Sequence, residues 1–384
     1  MTIRARTRKS DAWLTRQNTR LVTSTQPRRY ACDDPQAATH LQELGYVVFD
    51  QVISPAQCQQ ALARFWEWIG EVTSGRVLQS RLESYRYWPP SLNRGAILAY
   101  CGIGQSEFCW GVRDRPEIRK AFATLWQDDD LLVSFDGACV MRPWHYDLSW
   151  KSHERWFHVD QHPGQRPGFD CVQGLVNLLP MSSDGAGNLL IEGSHHVFSD
   201  YAERYPDVVA TLPTAEDYFE IPLDDPVLTG PSATPVRVLL RPGDMLCWDS
   251  RTAHCNSPGS SGRAVDTLHQ LSRAAVFVCM VPRTRASASL IKTRKKVVSR
   301  QITTTHRPHI YGPTHEYTDW QMRIQQGNTL PNPALPATMT AARLRLIGYS
   351  DKEALALAPT NAISSGPPAA ELPLAADQNE PVPE

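Results

Sequence analysis

"VRVLLRPGDMLCWDSRTAHCNSPG", residues 236–259, holds an apolar run, a Pro-Gly-Asp turn, a second apolar run, and His254 just past the end of that run. Runs of this length, rich in β-branched and aromatic residues and bounded by turn formers, read as strands. The same texture continues on both sides, in "LLVSFDGACVM" (131–141), "CVQGLVNLLP" (171–180), "GNLLIEGSH" (187–195) and "RAAVFVCMVP" (273–282). No amphipathic stretch long enough for a crossover helix separates most of these runs, which disfavours a parallel βαβ sheet. Many short strands with turn punctuation predict an antiparallel sandwich or jelly roll.

Upstream, "GYVVFD" (45–50) reads as a short strand, and Pro55 opens a helix with Ser54 as its N-cap. Cys58, Leu62, Phe65, Trp66 and Ile69 recur at spacings of three and four, a stripe that packs such a helix on a sheet. Residues 1–35 are polar, basic and aperiodic, and read as a flexible arm. The stretch 200–235 is an acidic insertion with one expected helix at "DYAERYPDVVATL". A single domain is expected over 36–330, then a short helical segment over 331–358 and a Pro-, Ala- and acid-rich tail over 359–384 expected to be disordered.

The chain has 384 residues, 41% of them apolar, with eleven tryptophans, so it can build a sizeable core. A net charge of −1 gives no general attraction to nucleic acid or anionic membrane. Nine scattered cysteines without a CxxC pair fit neither a disulfide scaffold nor a zinc ribbon, and imply a reducing compartment. No apolar run approaches the ~20 residues of a membrane span. A soluble, intracellular protein is expected, cytoplasmic unless the basic start directs it to an organelle.

The chemistry concentrates in "RWFHVDQHPG" (155–164). His158 and Asp160 are one residue apart, so on a strand both side chains leave the same face. His254 follows His158 by 96 residues, a gap that several antiparallel strands can fill. Two imidazoles and one carboxylate make the facial triad of non-haem Fe(II) oxygenases, with open positions for further ligands. A zinc hydrolase uses similar ligands, but the HExxH spacing on a helix is missing from this sequence. His195 and His196 read as turn residues, and His162 sits where the HxD strand ends before Pro163. His153, His269, His306, His309 and His315 have no evident partner.

Taken in order, "LGYVVFDQVISPAQCQQALARFWEWI", "FHVDQ", "GAGNLLIEGSHHVF", "PGDMLCWDSRTAHCNSPG" and "SRAAVFVCMVP" resemble the phytanoyl-CoA dioxygenase-like branch of the Fe(II)/2-oxoglutarate-dependent oxygenases. The resemblance covers roughly residues 40 to 285. It implies a double-stranded β-helix with flanking helices, whose mouth holds Fe(II) on His158, Asp160 and His254. It also implies 2-oxoglutarate and O₂ as cosubstrates, with Arg273 on the far carboxylate. Arg273 follows His254 by nineteen residues, a longer gap than the family's, which brings in Arg263 as a rival. Asn256, two residues past His254, is a further candidate contact. Gln173 and Asn177 share one strand face and either bind the cosubstrate or make cross-strand hydrogen bonds. The implied activity is hydroxylation of a small organic or lipid-like substrate with release of succinate and CO₂. The alternatives are a non-catalytic cupin-like metal- or ligand-binding protein and, further off, a zinc hydrolase. The segments 200–235 and 285–330 are expected to roof the pocket.

Overall fold

A computed structural model describes residues 22–92, 96–213, 217–231, 233, 235–310 and 337–359. Its strands are β1 (Thr23–Thr25), β2 (Arg29–Tyr30), β3 (Tyr46–Phe49), β4 (Ile97–Leu98), β5 (Leu131–Val133), β6 (Ala138–Met141) and β7 (His158–Asp160). There follow β8 (Val172–Asn177), β9 (Gly187–Ile191), β10 (Tyr218–Glu220), β11 (Pro235–Val238), β12 (Met245–Asp249), β13 (His254–Ser257) and β14 (Arg273–Pro282). They form a sheet of order β1-β11-β9-β13-β7-β10 and a larger one of order β2-β3-β12-β8-β14-β6-β4, with β5 on the far end of β14. Every pairing is antiparallel except β1 on β11 and β2 on β3. The fold is the jelly-roll type that the run of short strands predicts.

Alternation along β14 shows how the layers are set. Ala275 and Phe277 face the interior with Val48, Leu175, Leu190, Val238 and Trp248. Ala274, Val276, Val278 and Met280 face the other way, onto a helical layer through Phe65, Phe108 and Phe122. That layer consists of α1 (Gln36–Leu44), α2 (Pro55–Val72), α3 (Glu107–Arg113) and α4 (Pro116–Trp126). The outer face of the smaller sheet buries Phe157, Val159, Leu189 and Cys255 under α5 (Asp200–Arg204) and α6 (Pro206–Thr211). A strand buried on both faces reads as a continuous apolar run, which is the texture of 273–282.

The Ser54 cap is a full capping box, in which Ser54 Oγ accepts from Gln57 N and Gln57 reaches back to the Ser54 N–H. Trp66 is the exception in the expected stripe. It is half-buried and donates Nε1 to His269 Nδ1 at 3.0 Å, while Trp68 takes the buried position. Gly45 ends α1 at φ 81°, and a Cβ there would lie 2.4 Å from Thr252 Oγ1, so the turn into β3 requires glycine.

Several expectations are corrected. The basic arm is not flexible to residue 35: residues 22–35 include β1 and β2, tied down where Arg29 Nε meets Asp244 Oδ2 at 2.9 Å. The single helix expected near 200–212 is two, because Pro206 lacks the N–H to continue the first. His254, past the end of β12 as read, also opens the next strand. A helix left unassigned by the sequence reading, α7 (Ala288–Ser299), follows β14, while the helical C-terminal piece is split at Gly348 (φ 126°) into α8 (Ala341–Ile347) and α9 (Asp351–Leu357). The expected tail falls outside the described residues from 360 onward. Among the described residues no helix is long and apolar enough to cross a membrane.

Candidate active site

β13 lies antiparallel to β7 with His254 directly opposite His158. Directly opposed residues leave the same face of a sheet, and Asp160 joins them two residues along β7. The nitrogen and oxygen atoms they offer all lie within 4.8 Å of one another. Asp160 Oδ1 is 3.6 Å from His158 Nε2, and Oδ2 is 3.3 Å from His254 Nε2.

The ring orientation is set from behind. His158 Nδ1 lies 3.1 Å from the Trp156 carbonyl and His254 Nδ1 lies 2.9 Å from the Thr252 carbonyl. A carbonyl only accepts, so Nδ1 carries the proton in both rings and the Nε2 lone pairs point at the shared space. Gln173 Nε2 donates to Asp160 Oδ2 at 3.0 Å, holding the carboxylate in place. Trp156 stacks on His158 with centroids 4.6 Å apart and planes 8° from parallel. Burial drives the His254 pKa down, reinforced by the neighbouring His158. Burial alone would push the Asp160 carboxyl up, but the imidazoles beside it outweigh this and hold it well below the usual carboxylate range. A neutral His254 and an ionised Asp160 are the protonation states a divalent cation requires.

The triad opens into a cavity of about 410 Å³. Trp156, Tyr218, Trp248, Phe277, Leu92 and Ile97 give it aromatic and aliphatic walls, and Gln173, Asn188, Asn256, Asp136 and His306 give it polar ones.

The phytanoyl-CoA dioxygenase (PhyH) family pattern matches residues 41–264. The chain belongs to that family. The family is a branch of the Fe(II)/2-oxoglutarate-dependent oxygenases. A curated relative, Ava biosynthesis cluster protein O of Aspergillus versicolor, is 28% identical over 274 residues, covering 69% of this chain and 83% of its own. Among solved structures, GlcNAc Inducible Gene 2 (GIG2) from Candida albicans aligns with TM-score 0.50 and 11% identity over 85% of this chain and 78% of its own, a likeness of fold. The epimerase SnoN, solved with Fe3+, alpha ketoglutarate and nogalamycin RO, aligns with TM-score 0.40 and 16% identity over 65% of this chain and 83% of its own.

The remaining candidates divide. Arg273 lies just past the end of the family match, at the start of β14, and is 2% exposed. Its Nη1 donates to Asn256 Oδ1 at 2.6 Å, while Nε and Nη2 are buried with no hydrogen-bond partner among the described residues. Arg263 is exposed in the loop before β14. Asn177 is not a cavity residue. Its Nδ2 donates to the carbonyls of Leu179, Leu240 and Arg241, tying β8 to the turn before β12, the structural half of the alternative posed for it. Phe157 faces away from the ligands into the outer cluster, since it alternates with His158.

The other histidines also separate. His195 and His196 line a different cavity of about 330 Å³, with Asp249 and Arg251. His162 Nδ1 accepts from Gly164 N and Gln165 N beyond the strand's end. His315 lies outside the described residues. Among the wall residues that escaped the sequence reading, Thr304, Thr305 and His306 line the cavity from a segment beyond α7. Thr305 Oγ1 and His306 Nε2 are buried without a partner among the described residues. No spacing in the sequence ties position 306 to position 158. Of the segments expected to roof the pocket, 200–235 contributes through Asp217 and Tyr218 and 285–330 through these three residues, while 311–330 lies outside the described residues.

Proposed function

We propose that this chain is an Fe(II)- and 2-oxoglutarate-dependent oxygenase that hydroxylates a compact organic substrate, with His158, Asp160 and His254 as the iron ligands. The observation that carries the reading is the guanidinium of Arg273. A buried charge without a carboxylate costs several kcal/mol, so its two unpartnered nitrogens call for an anionic ligand. Arg273 reaches Asn256, which stands two strand residues from His254, roughly 7 Å along β13 at the usual rise. A five-carbon diacid is suited to that span, chelating at the triad with one end and meeting Arg273 with the other. The donor set agrees with iron, since it combines two neutral imidazoles with one carboxylate.

Bound there, Fe(II) with 2-oxoglutarate and O₂ supplies the oxidation of an unactivated C–H bond, with succinate and CO₂ leaving. The chain's own residues orient and exclude. Gln173 keeps Asp160 aimed, the Trp156 and Thr252 carbonyls keep both Nε2 atoms aimed, and Trp248, Phe277 and Tyr218 keep water from the cavity. Asn256 holds Arg273 in register. The unpartnered Thr305 Oγ1 and His306 Nε2 suit a substrate that brings a hydrogen-bonding group of its own.

The test is succinate formation from 2-oxoglutarate by the Fe(II)-loaded protein, with and without a metabolite extract, together with a search for products heavier by one oxygen. Succinate above a no-enzyme control and loss of it on chelation are expected. Retained metal and 2-oxoglutarate binding with no succinate would establish instead a non-catalytic binding protein. Zinc in the purified protein with hydrolytic turnover would establish the hydrolase.

A further inference from the structure

The segment 302–310 lies beyond the family match and is bolted down. Thr304 N donates to the Phe135 carbonyl at 2.9 Å, Gly104 N to Thr303 Oγ1 at 3.0 Å, and Gln105 Nε2 to the Ile302 carbonyl at 2.9 Å. At its centre is Arg307, whose side chain is fully buried. Its Nη1 donates to Asp170 Oδ2, its Nη2 donates to the Asp160 carbonyl at 2.9 Å, and its Nε lies 2.9 Å from Asp217 Oδ2 in an ion pair without hydrogen-bond alignment.

Each of those acceptors belongs to a different part of the site. Asp160 is the proposed ligand and the last residue of β7. Asp170 stands two residues before β8, the strand that carries Gln173. Asp217 stands one residue before β10, which pairs with β7 and carries Tyr218 into the cavity. The Asp160 peptide is held on its other side by its N–H, which donates to the Ser250 carbonyl at 2.9 Å. A planar guanidinium presents donors in several directions at fixed angles, whereas an ammonium is a single point charge that cannot span three such acceptors.

We propose that Arg307 is a positioning residue for the metal site: it fixes the backbone of Asp160 and seats Thr304, Thr305 and His306 against the triad. This rests on the metal reading of His158, Asp160 and His254. A purely structural role would tie Arg307 to stability alone. Arg285 supplies the comparison, because its Nη2 meets Asp170 Oδ1 at 2.8 Å and its Nη1 meets the Asp170 carbonyl at 2.5 Å, with no bond to Asp160.

Co(II) is the probe, titrated anaerobically into the full chain and followed by calorimetry and by its visible d–d absorption, with circular dichroism melting in parallel. Arg307→Lys is expected to weaken Co(II) binding by about 10–100-fold, as loss of a group that orients a ligand does, and to shift the d–d bands. Arg285→Ala is expected to lower the melting temperature while keeping the wild-type affinity and spectrum. Should Arg307→Lys fail to fold because Asp217 keeps only Arg166 of its two arginines, the double variant Arg307→Lys/Asp217→Asn removes the excess negative charge and carries the same expectation. An Arg307 variant with wild-type affinity and spectrum overturns the proposal, and so does Arg285→Ala with an equal loss of affinity. Wild-type protein that binds no Co(II) overturns the metal reading itself.

Discussion

The cavity has two kinds of wall. One is sheet, where β7, β8, β13 and β14 present His158, Asp160, Gln173, His254, Asn256 and Phe277. The other is the irregular segment 302–310, which presents Thr304, Thr305 and His306. In the sheet wall, ladder register places the side chains, so two opposed histidines and a carboxylate two residues on follow from pairing alone. In the segment wall, side-chain ion pairs do the placing: Arg307 and Arg285 on Asp170, His309 beside the same carboxylate, and Arg307 with Arg166 on Asp217. The contrast separates residues that make a centre possible from residues that adjust it.

The difference can be broken first at the triad. Asp160→Ala removes the anionic ligand, and succinate formation should vanish along with Fe(II) binding. Undiminished succinate would show that the sheet wall is not the reacting one. The next effect in size belongs to Arg273. Arg273→Lys should cost about 2–5 kcal/mol of 2-oxoglutarate binding, the usual penalty for disrupting a buried charge pair. That reads as a KM for 2-oxoglutarate at least roughly thirtyfold higher with Fe(II) binding nearly intact. Arg263→Ala should change neither, and the opposite pattern would move the anchor into the loop.

Gln173 and Asn177 sharpen the comparison within one strand face. Gln173→Ala should weaken metal binding or turnover by about 10–100-fold with little change in melting temperature. Asn177→Ala should leave KM and metal affinity alone and cost about 1–3 kcal/mol of stability, because buried carbonyls lose their donor. Chemical denaturation and metal titration on both variants would decide it.

The smallest effect concerns acid. Burial pushes the Asp170 carboxyl up, but His309, Arg307 and Arg285 outweigh it and hold it well below the carboxylate range. A carboxyl depressed in the folded state stabilises fully above its unfolded value of ~3.9, and that stabilisation is lost as pH falls through the folded value. Asp170→Asn should therefore melt earlier than wild type at neutral pH, with the gap closing below about pH 4. A gap that stays constant on acidification would show that Asp170 is not ionised in the folded protein.

How much was legible follows the same division. The strand runs, the Ser54 cap and the HxD spacing are local: the cap and the HxD strand stand where expected, while the run 131–141 divides into β5 and β6 and the run 187–195 leaves its strand at Ile191. His254 could be picked out because it stands just beyond the strand that the Pro-Gly-Asp turn opens. The bolts of the segment wall are not local: Arg307 meets Asp170 across 137 positions and the Asp160 carbonyl across 147. No periodicity encodes such a pairing, and Arg and Asp are too frequent for their presence to signal it. β1 and β2 were missed for a related reason, since two- and three-residue strands are too short to show alternation. Asn177 and Gln173 looked alike because alternation reports the face a side chain leaves and not what waits there.

The position of β14 bears on the order of events during synthesis. This strand lies between β8 and β6 in the larger sheet, yet it is the last in chain order of the described strands. The sheet therefore stays open down its middle until residue 282 has emerged, with β8 and β6 unable to meet their neighbour. Non-local pairing of this kind raises contact order and slows folding. Arg307 emerges later still, so the strand bearing His158 and Asp160 can be paired before its last residue is fastened. A growing chain passes through a stage with every proposed ligand present and the centre unfinished, and the later emergence of residue 307 completes it.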